Sequence, residues 1–525
     1  MREDDRSVRR SRRWSAVGIV LGAIVPRSRV PAITKITRSR RSRGHGDHGD
    51  HGDHGDHGID RGLRCVEPAA GSGRLRYTCR KNVNDRREAM IRPLDIAASR
   101  DRFEIDGEPH FVCADTAWNA FTSATEEEWD RYTRYRAEQG FNTIQVSVLP
   151  VLHDASLTYT APTPFASTHG YDQGPWDFTR PSSAYFERAE LMTALAASRG
   201  LRICLVLLWN NYIPGTWGHR SRPDVALPRE LVEPFATLVA ERFRAHHPLY
   251  FIAGDTKFET EAITGYFVAA IEAVKGADPS ALAAMHLTGN NSALPACVVE
   301  SPHLDFYTYQ SGHRVEHVHG GWQLATAFLE KYPTRPLMNA ESCYEGHGHA
   351  GGVYGRFTAF DVRRALWTSV LAGAKAGFTY GAHGVWSWHR RGAHFTSVAN
   401  SREPFDWSVA LEFAGGWDTA YSARIVERFG LNGLRADQSV VPAAPEGVRA
   451  ARIDSTGTVV VYLPYADPLR IVASDAPELE YRIIDFSRRI ELAADVVRGD
   501  GETTVRMPEI NGDYLIVGTR SVTSE

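Results

Sequence analysis

Two acidic residues close apolar runs in this chain: Asp255 ends YFIAGD and Glu341 ends PLMNAE. Two carboxyl groups carried to one rim suit cleavage of a glycosidic bond. One protonates the leaving oxygen, and the other supplies or activates the nucleophile. A water-shielded setting raises the pKa of one partner until it donates near neutrality. The ends of the other apolar runs carry residues of complementary kinds. In order these are Asp115 and Trp118, Gln145, Trp209 with Asn210 and Asn211, Asn290 and Asn291, Gln310 with His313, Tyr344 with Glu345, and finally Tyr380, His383, Trp386 and Trp388. Amides, imidazoles and carboxylates bind hydroxyls, and aromatic rings cover the apolar face of a sugar.

From this set Asp255 and Glu341 are expected to be catalytic. Asp115, Trp118, Gln145, Trp209, Gln310, His313, Tyr344, Tyr380, His383 and Trp386 are expected to contact substrate. An acid at a strand end also serves as a helix N-cap or an ion-pair partner. Asp115 reads either as a hydroxyl ligand or as the cap of the turn before Trp118. Metal-dependent hydrolysis is the competing chemistry, because His313, His317 and His319 are closely spaced, as are His347 and His349, with His383 on another strand end. None of them forms HExxH or another strong ligand spacing, so no metal or other cofactor is expected.

Such a rim needs a scaffold that brings many strand ends together. From residue 111 onward, β-rich apolar runs alternate with amphipathic helical stretches, the pattern of parallel α/β architecture. The runs predict strands over 111–116, 142–149, 202–209, 249–255, 283–289, 304–312, 336–342 and 377–386. Helices are predicted over 126–139, 183–199, 228–246, 261–275, 321–332 and 359–372, with a last one within 404–429. Thr125 ahead of Glu126, Glu127 and Glu128 is an N-terminal capping pattern. The first strand runs into Ala114-Asp115-Thr116-Ala117-Trp118 without the glycines of a phosphate-binding turn, which favours a (β/α)₈ barrel over an open doubly wound sheet. Its active site belongs at the carboxyl ends of the strands. Residues 448–518 change character, with VVVYLPY, RIVAS, EYRIIDF, TTVRM and DYLIVG separated by turn residues; this predicts a small β-sandwich.

The expected division is therefore a tail over 1–90, a barrel over 91–435 and a β-domain over 440–525, within 525 residues that are 43% hydrophobic. A formal charge of −3 gives no sign of nucleic-acid capture. Six cysteines without a CxxC pair argue against a disulfide framework, and Cys113, Cys204 and Cys297, in apolar runs, read as buried thiols. The first ninety residues hold arginine clusters and the repeat HGDHGDHGDHGDHG over 45–58, a composition unable to bury a core. The apolar stretch over 14–25 is too short to span a bilayer, and Pro26, Arg27 and Arg29 follow it without a small-residue cleavage pattern. Met90 is read as the true start, with the cytoplasm as the expected compartment and secretion as the alternative. No membrane or nucleic-acid partner is expected, and the oligomeric state stays open.

Longer stretches carry a resemblance. DGEPHFVCADTAWNAF, RAEQGFNTIQVSVL, YFIAGD, YTYQSGH, PLMNAESCYEG and FDVRRALWTSVLAGAKAGFTYGAHGVW together resemble the apiosidase-like glycoside hydrolases, over roughly 95–518. The resemblance implies a (β/α)₈ catalytic barrel, often followed by a small β-domain that carries a collagen-binding label. Nothing in residues 448–518 supports collagen as a ligand. It also implies that Asp255 is the acid/base and Glu341 the nucleophile or base. The chain departs from the family in having Phe251-Ile252-Ala253-Gly254 where a Trp and two glycines are usual, and Ser342 where Pro is common. Both departures leave the carboxylates in place and imply a substrate other than pectin-linked apiose. Acid on the fourth strand and second carboxylate on the seventh resemble the retaining barrel glycosidases. The expected activity is hydrolysis of an O-glycosidic bond in a plant or microbial glycan. A non-hydrolytic carbohydrate-binding barrel and a metal-dependent hydrolase are the alternatives.

Overall fold

Eight parallel strands wind through the protein in chain order: β1 (Val112–Thr116), β2 (Thr143–Ser147), β3 (Arg202–Trp209), β4 (Leu249–Thr256), β5 (Leu282–Leu287), β6 (Tyr307–Gln310), β7 (Leu337–Glu341) and β8 (Gly377–Tyr380). The computed structural model describes residues 91–156, 162–167, 174–472, 476–508 and 512–520. The expectations for the tail over 1–90, its repeat and its start site lie outside the described residues. The hydrogen-bonded order is β5-β4-β3-β2-β1-β8-β7-β6. Only the seam between β5 and β6 lacks a ladder, and there other bonds take over. Asp305 N donates to Ala283 O at 2.9 Å, Thr308 Oγ1 to Met285 O at 2.9 Å, and Asn290 N to Gln310 O at 2.9 Å. The sheet is thus closed into a barrel.

Every residue of β3 is buried, as expected of a strand covered on both faces, which is why RICLVLLW reads as an unbroken apolar run. The outer layer is formed by α1 (Glu126–Gln139), α2 (Ser183–Ala197), α3 (Val232–Phe243), α4 (Glu261–Ala277), α5 (Gly320–Lys331), α6 (Ala359–Leu371) and α7 (Ala414–Arg428). Thr125 and Glu128 form the reciprocal capping box at the start of α1. The unit after β5 differs, since its connection carries only the short helix Ala296–Val299. Cys297 on that helix is exposed, which corrects the reading of a buried thiol: of the helix's four residues only Val298 turns inward. Among the described residues no helix is long and apolar enough to cross a membrane.

The C-terminal region is all antiparallel. One sheet has the order Arg435–Ala436, Arg449–Ile453, Thr458–Leu463, Tyr514–Arg520, Leu479–Asp485 and Ile490–Ala493; a second holds Leu469–Val472, Glu502–Arg506 and Asp495–Gly499. In Thr458–Leu463 the side chains alternate between two destinations. Val459, Val461 and Leu463 enter the core between the sheets, while Val460 and Tyr462 join the core of the barrel. Burial on both faces accounts for the run VVVYL. Arg363 of α6 pins the contact, reaching Asp513 with Nη2 at 2.6 Å and Asp418 of α7 with Nη1 at 2.5 Å.

Candidate active site

The end of β4 sets the floor of the barrel mouth. A Cβ on Gly254 would lie 2.5 Å from Cδ2 of Trp209 on β3, so only glycine admits this approach. Asp255 then enters the left-handed region with φ 54°, which aspartate tolerates better than most residues. Asn210 Nδ2 at 2.9 Å and Trp217 Nε1 at 3.1 Å donate to its carbonyl oxygen and hold the turn. Glu341 closes β7 across the floor. One carboxylate oxygen of Asp255 and one of Glu341 lie within 4.8 Å of each other.

The two carboxyls experience opposite fields. Burial, reinforced by the negative charge of Glu341, pushes Asp255 up to about 7. Burial acts on Glu341 in the same sense, but the His286 ring at 3.3 Å and the His313 ring at 2.9 Å outweigh it and hold Glu341 well below the ordinary carboxylate range. Near neutrality the pair therefore presents one proton donor and one anion. A third acid, Asp154, is pushed up to about 8 by burial and by the charges of Glu341 and Asp255, against a hydrogen bond with Ser397.

Above this floor opens a cavity of about 460 Å³. Asp255, Glu341, Trp118, Trp209, Gln310, His313, Tyr344 and Trp386 line it, so eight of the expected site residues converge there. Trp118 and Trp209 meet edge to face at 5.4 Å, and Trp118 Nε1 donates to the Tyr344 hydroxyl at 3.1 Å.

The remaining four expected residues are not among the cavity lining. Asp115 is fully buried behind the strands, where Arg136 Nε at 2.7 Å and the Tyr132 hydroxyl at 2.6 Å claim its carboxylate. Gln145 is buried and donates to Thr379 Oγ1 at 2.6 Å. The Tyr380 hydroxyl donates to Glu345 Oε2 at 2.7 Å. His383 donates through Nε2 to the Arg402 carbonyl at 3.1 Å and accepts from Trp386 Nε1 at 3.2 Å, so it orients a cavity residue without lining the cavity. Burial keeps His383 down at about 3, a neutral ring.

The histidine clusters of the sequence do not assemble into a ligand set. His347 lines the cavity and stacks on His313 at 4.3 Å, whereas His319 faces Glu446 at 3.9 Å and His349 bonds the Tyr354 carbonyl. His317 ends the 3₁₀ turn Val315–His317. Among the described residues, the trio with donor atoms close enough for one ion is Asp255, His286 and Glu341. His286, His153, Asp154, Trp217 and Lys257 were absent from the expected site. A polar residue in the apolar strand LAAMHL was the signal for His286. His153, Asp154 and Trp217 come from loops, which carry no periodicity.

Residues 98–432 match the apiosidase-like catalytic domain. One solved structure, described as a glycoside hydrolase, superposes with a TM-score of 0.68 at 19% identity, covering 82% of this chain and 98% of its own. A glycoside hydrolase family 5 protein from Bacteroides vulgatus ATCC 8482 gives a TM-score of 0.68 at 20% identity, covering 82% of this chain and 94% of its own. At these identities the likeness shows a shared fold. No curated protein matches the chain in sequence.

Proposed function

Since the chain belongs to the apiosidase-like family of catalytic domains, we propose that it hydrolyses an O-glycosidic bond of a plant or microbial glycan, with Asp255 as acid/base and Glu341 as nucleophile. One observation carries this reading: two carboxyls of opposite protonation face each other on the floor of an aromatic-walled cavity. Trp118, Trp209 and Trp386 offer ring faces and edges to a sugar, while Gln310 and Asn290 offer hydroxyl partners.

In the first step Asp255 gives its proton to the leaving oxygen while a Glu341 oxygen attacks the anomeric carbon, and the bond to the leaving group breaks. In the second, Asp255, now an anion, takes a proton from water as the water oxygen displaces Glu341 from that carbon. Retaining enzymes hold their carboxyls about 5–5.5 Å apart, and inverting enzymes leave about 6.5–9.5 Å for water. Oxygens within 4.8 Å support the retaining arrangement.

The test is a screen of aryl glycosides and plant-polysaccharide oligosaccharides with the parent chain and Glu341→Gln. Product from the parent alone supports the reading. Oligosaccharides that bind but emerge intact from the parent would make the barrel a binding protein instead.

A further inference from the structure

The two carboxylates lie against a third side chain that takes no part in the bond-making steps proposed above. His286 projects from β5 and is fully buried. Its ring lies 5.7 Å from Trp118, 6.1 Å from Trp209 and 5.5 Å from Phe251, centroid to centroid. Nδ1 stands 3.7 Å from Asp255 Oδ1, and Nε2 stands 3.3 Å from Glu341 Oε2. The first is too long for a hydrogen bond, and the second lacks the alignment of one. Both ring nitrogens, Asp255 Oδ1 and Glu341 Oε2 are buried without a hydrogen-bond partner. Buried polar atoms are rarely left this way.

We propose that Asp255, His286 and Glu341 form a site for one divalent transition-metal ion, and that the bound ion blocks hydrolysis. One imidazole nitrogen with two carboxylate oxygens favours zinc, cobalt or nickel over magnesium and calcium, which take oxygen ligands alone. Donor atoms on an ion with bonds of about 2.1 Å stand at most about 4.2 Å apart. The trio lies within 4.8 Å, and because Asp255 approaches Nδ1 and Glu341 approaches Nε2, one carboxylate must swing toward the nitrogen that the other faces to complete the contact. Outer partners are already in place, because His313 holds Oε1 of Glu341 at 2.9 Å and leaves Oε2 free. Asp255 and Glu341 both line the cavity, which gives an ion a route to the trio. An ion here would occupy one oxygen of each catalytic carboxyl, displacing the Asp255 proton and tying up the Glu341 charge. Inhibition thus rests on the paired-carboxylate mechanism, whereas binding does not.

Cobalt(II) is the probe, added to chelator-treated full-length protein and followed by its visible absorption and by calorimetry. The histidines within 45–58 offer further imidazoles to cobalt, so the readout is the difference between the parent and His286→Ala, with Glu341→Gln as a second variant in case the first misfolds. One ion per chain should disappear in both variants, and parental hydrolysis should be lost in step with occupancy and return on adding EDTA. Equal cobalt uptake by parent and variants overturns the site. Hydrolysis that rises with cobalt overturns the inhibitory role and the metal-free mechanism together. A chain that binds cobalt at the trio but cleaves no glycoside keeps the site and refutes the proposed activity.

Discussion

His313 Nε2 stands 2.9 Å from Glu341 Oε1, and the direction of this bond is set on the far side of the ring. The Tyr344 backbone N–H donates to His313 Nδ1, so the ring proton resides on Nε2 and points at the carboxylate. The histidine thus keeps Glu341 anionic and correctly turned. His313→Ala should lower kcat by about 10–100-fold, typical for loss of such a supporting partner. It should also move the acid limb of the pH–rate profile upward, because Glu341 loses a donor that favours its charged form. His313→Gln, which retains an N–H, should recover part of both effects. An unchanged acid limb in His313→Ala would show that the contact only shapes the cavity.

Glu341→Gln keeps the shape and removes the charge, so hydrolysis should fall by at least about a thousandfold with folding intact by circular dichroism. Asp255→Asn should spare aryl glycosides with good leaving groups and cripple those with poor ones, since a good leaving group needs little protonation. Equal losses for both classes would remove Asp255 from the role of acid.

Asp255 is raised to about 7 by burial and the adjacent Glu341 charge, so it keeps its catalytic proton below that pH and loses it above. Activity should therefore decline as pH rises through about 7, while the acid limb, governed by the depressed Glu341, lies far lower. In Glu341→Gln the raising charge is gone, and carbon-13 NMR of the Asp255 carboxyl should show its titration moving down. A midpoint unmoved by that substitution would mean that burial alone sets it.

Arg363 neutralises two acids at the junction of barrel and β-domain, and its side chain is 10% exposed. Arg363→Leu would leave Asp513 with only the Tyr462 hydroxyl at 3.1 Å and Asp418 with Arg489 at 2.7 Å. Removing one partner of a buried ion pair costs about 3–5 kcal/mol. The expected result is a lower melting temperature with barrel and β-domain still unfolding in one transition. Two separate transitions in the parent chain would refute the shared core.

The architecture could be read because each barrel strand is apolar and ends at a polar residue or a turn. β4 shows this best, with LYFIAG leading straight to Asp255. The eighth strand was harder: it stops at Tyr380, because Gly381 packs against Tyr344 and Gly384, at φ 144°, turns the chain, although the apolar sequence continues to Trp386. Asp115 could not be placed from its own strand, since its partner Arg136 lies a helix away in sequence and reaches it only once α1 has packed. His286 failed for the opposite reason. Its neighbours Met285 and Leu287 make it look like a core position, and only β4 alongside and β7 beyond the seam strand β6 give the imidazole its carboxylates.

The strand Tyr514–Arg520 occupies the middle of the six-stranded sheet, between Thr458–Leu463 and Leu479–Asp485, yet it follows every other strand of that sheet in the chain. On a ribosome that delivers about 5–20 residues per second, the strands on either side of it emerge before their common neighbour exists. The core shared with the barrel is completed last as well, since Leu515 and Val517 of that strand join Val460, Tyr462, Ile484 and Phe486 in it. A nascent chain stalled before Asp513 would therefore present two unpaired strand edges, at Thr458–Leu463 and at Leu479–Asp485. Until that strand emerges, the sheet cannot reach its final pairing.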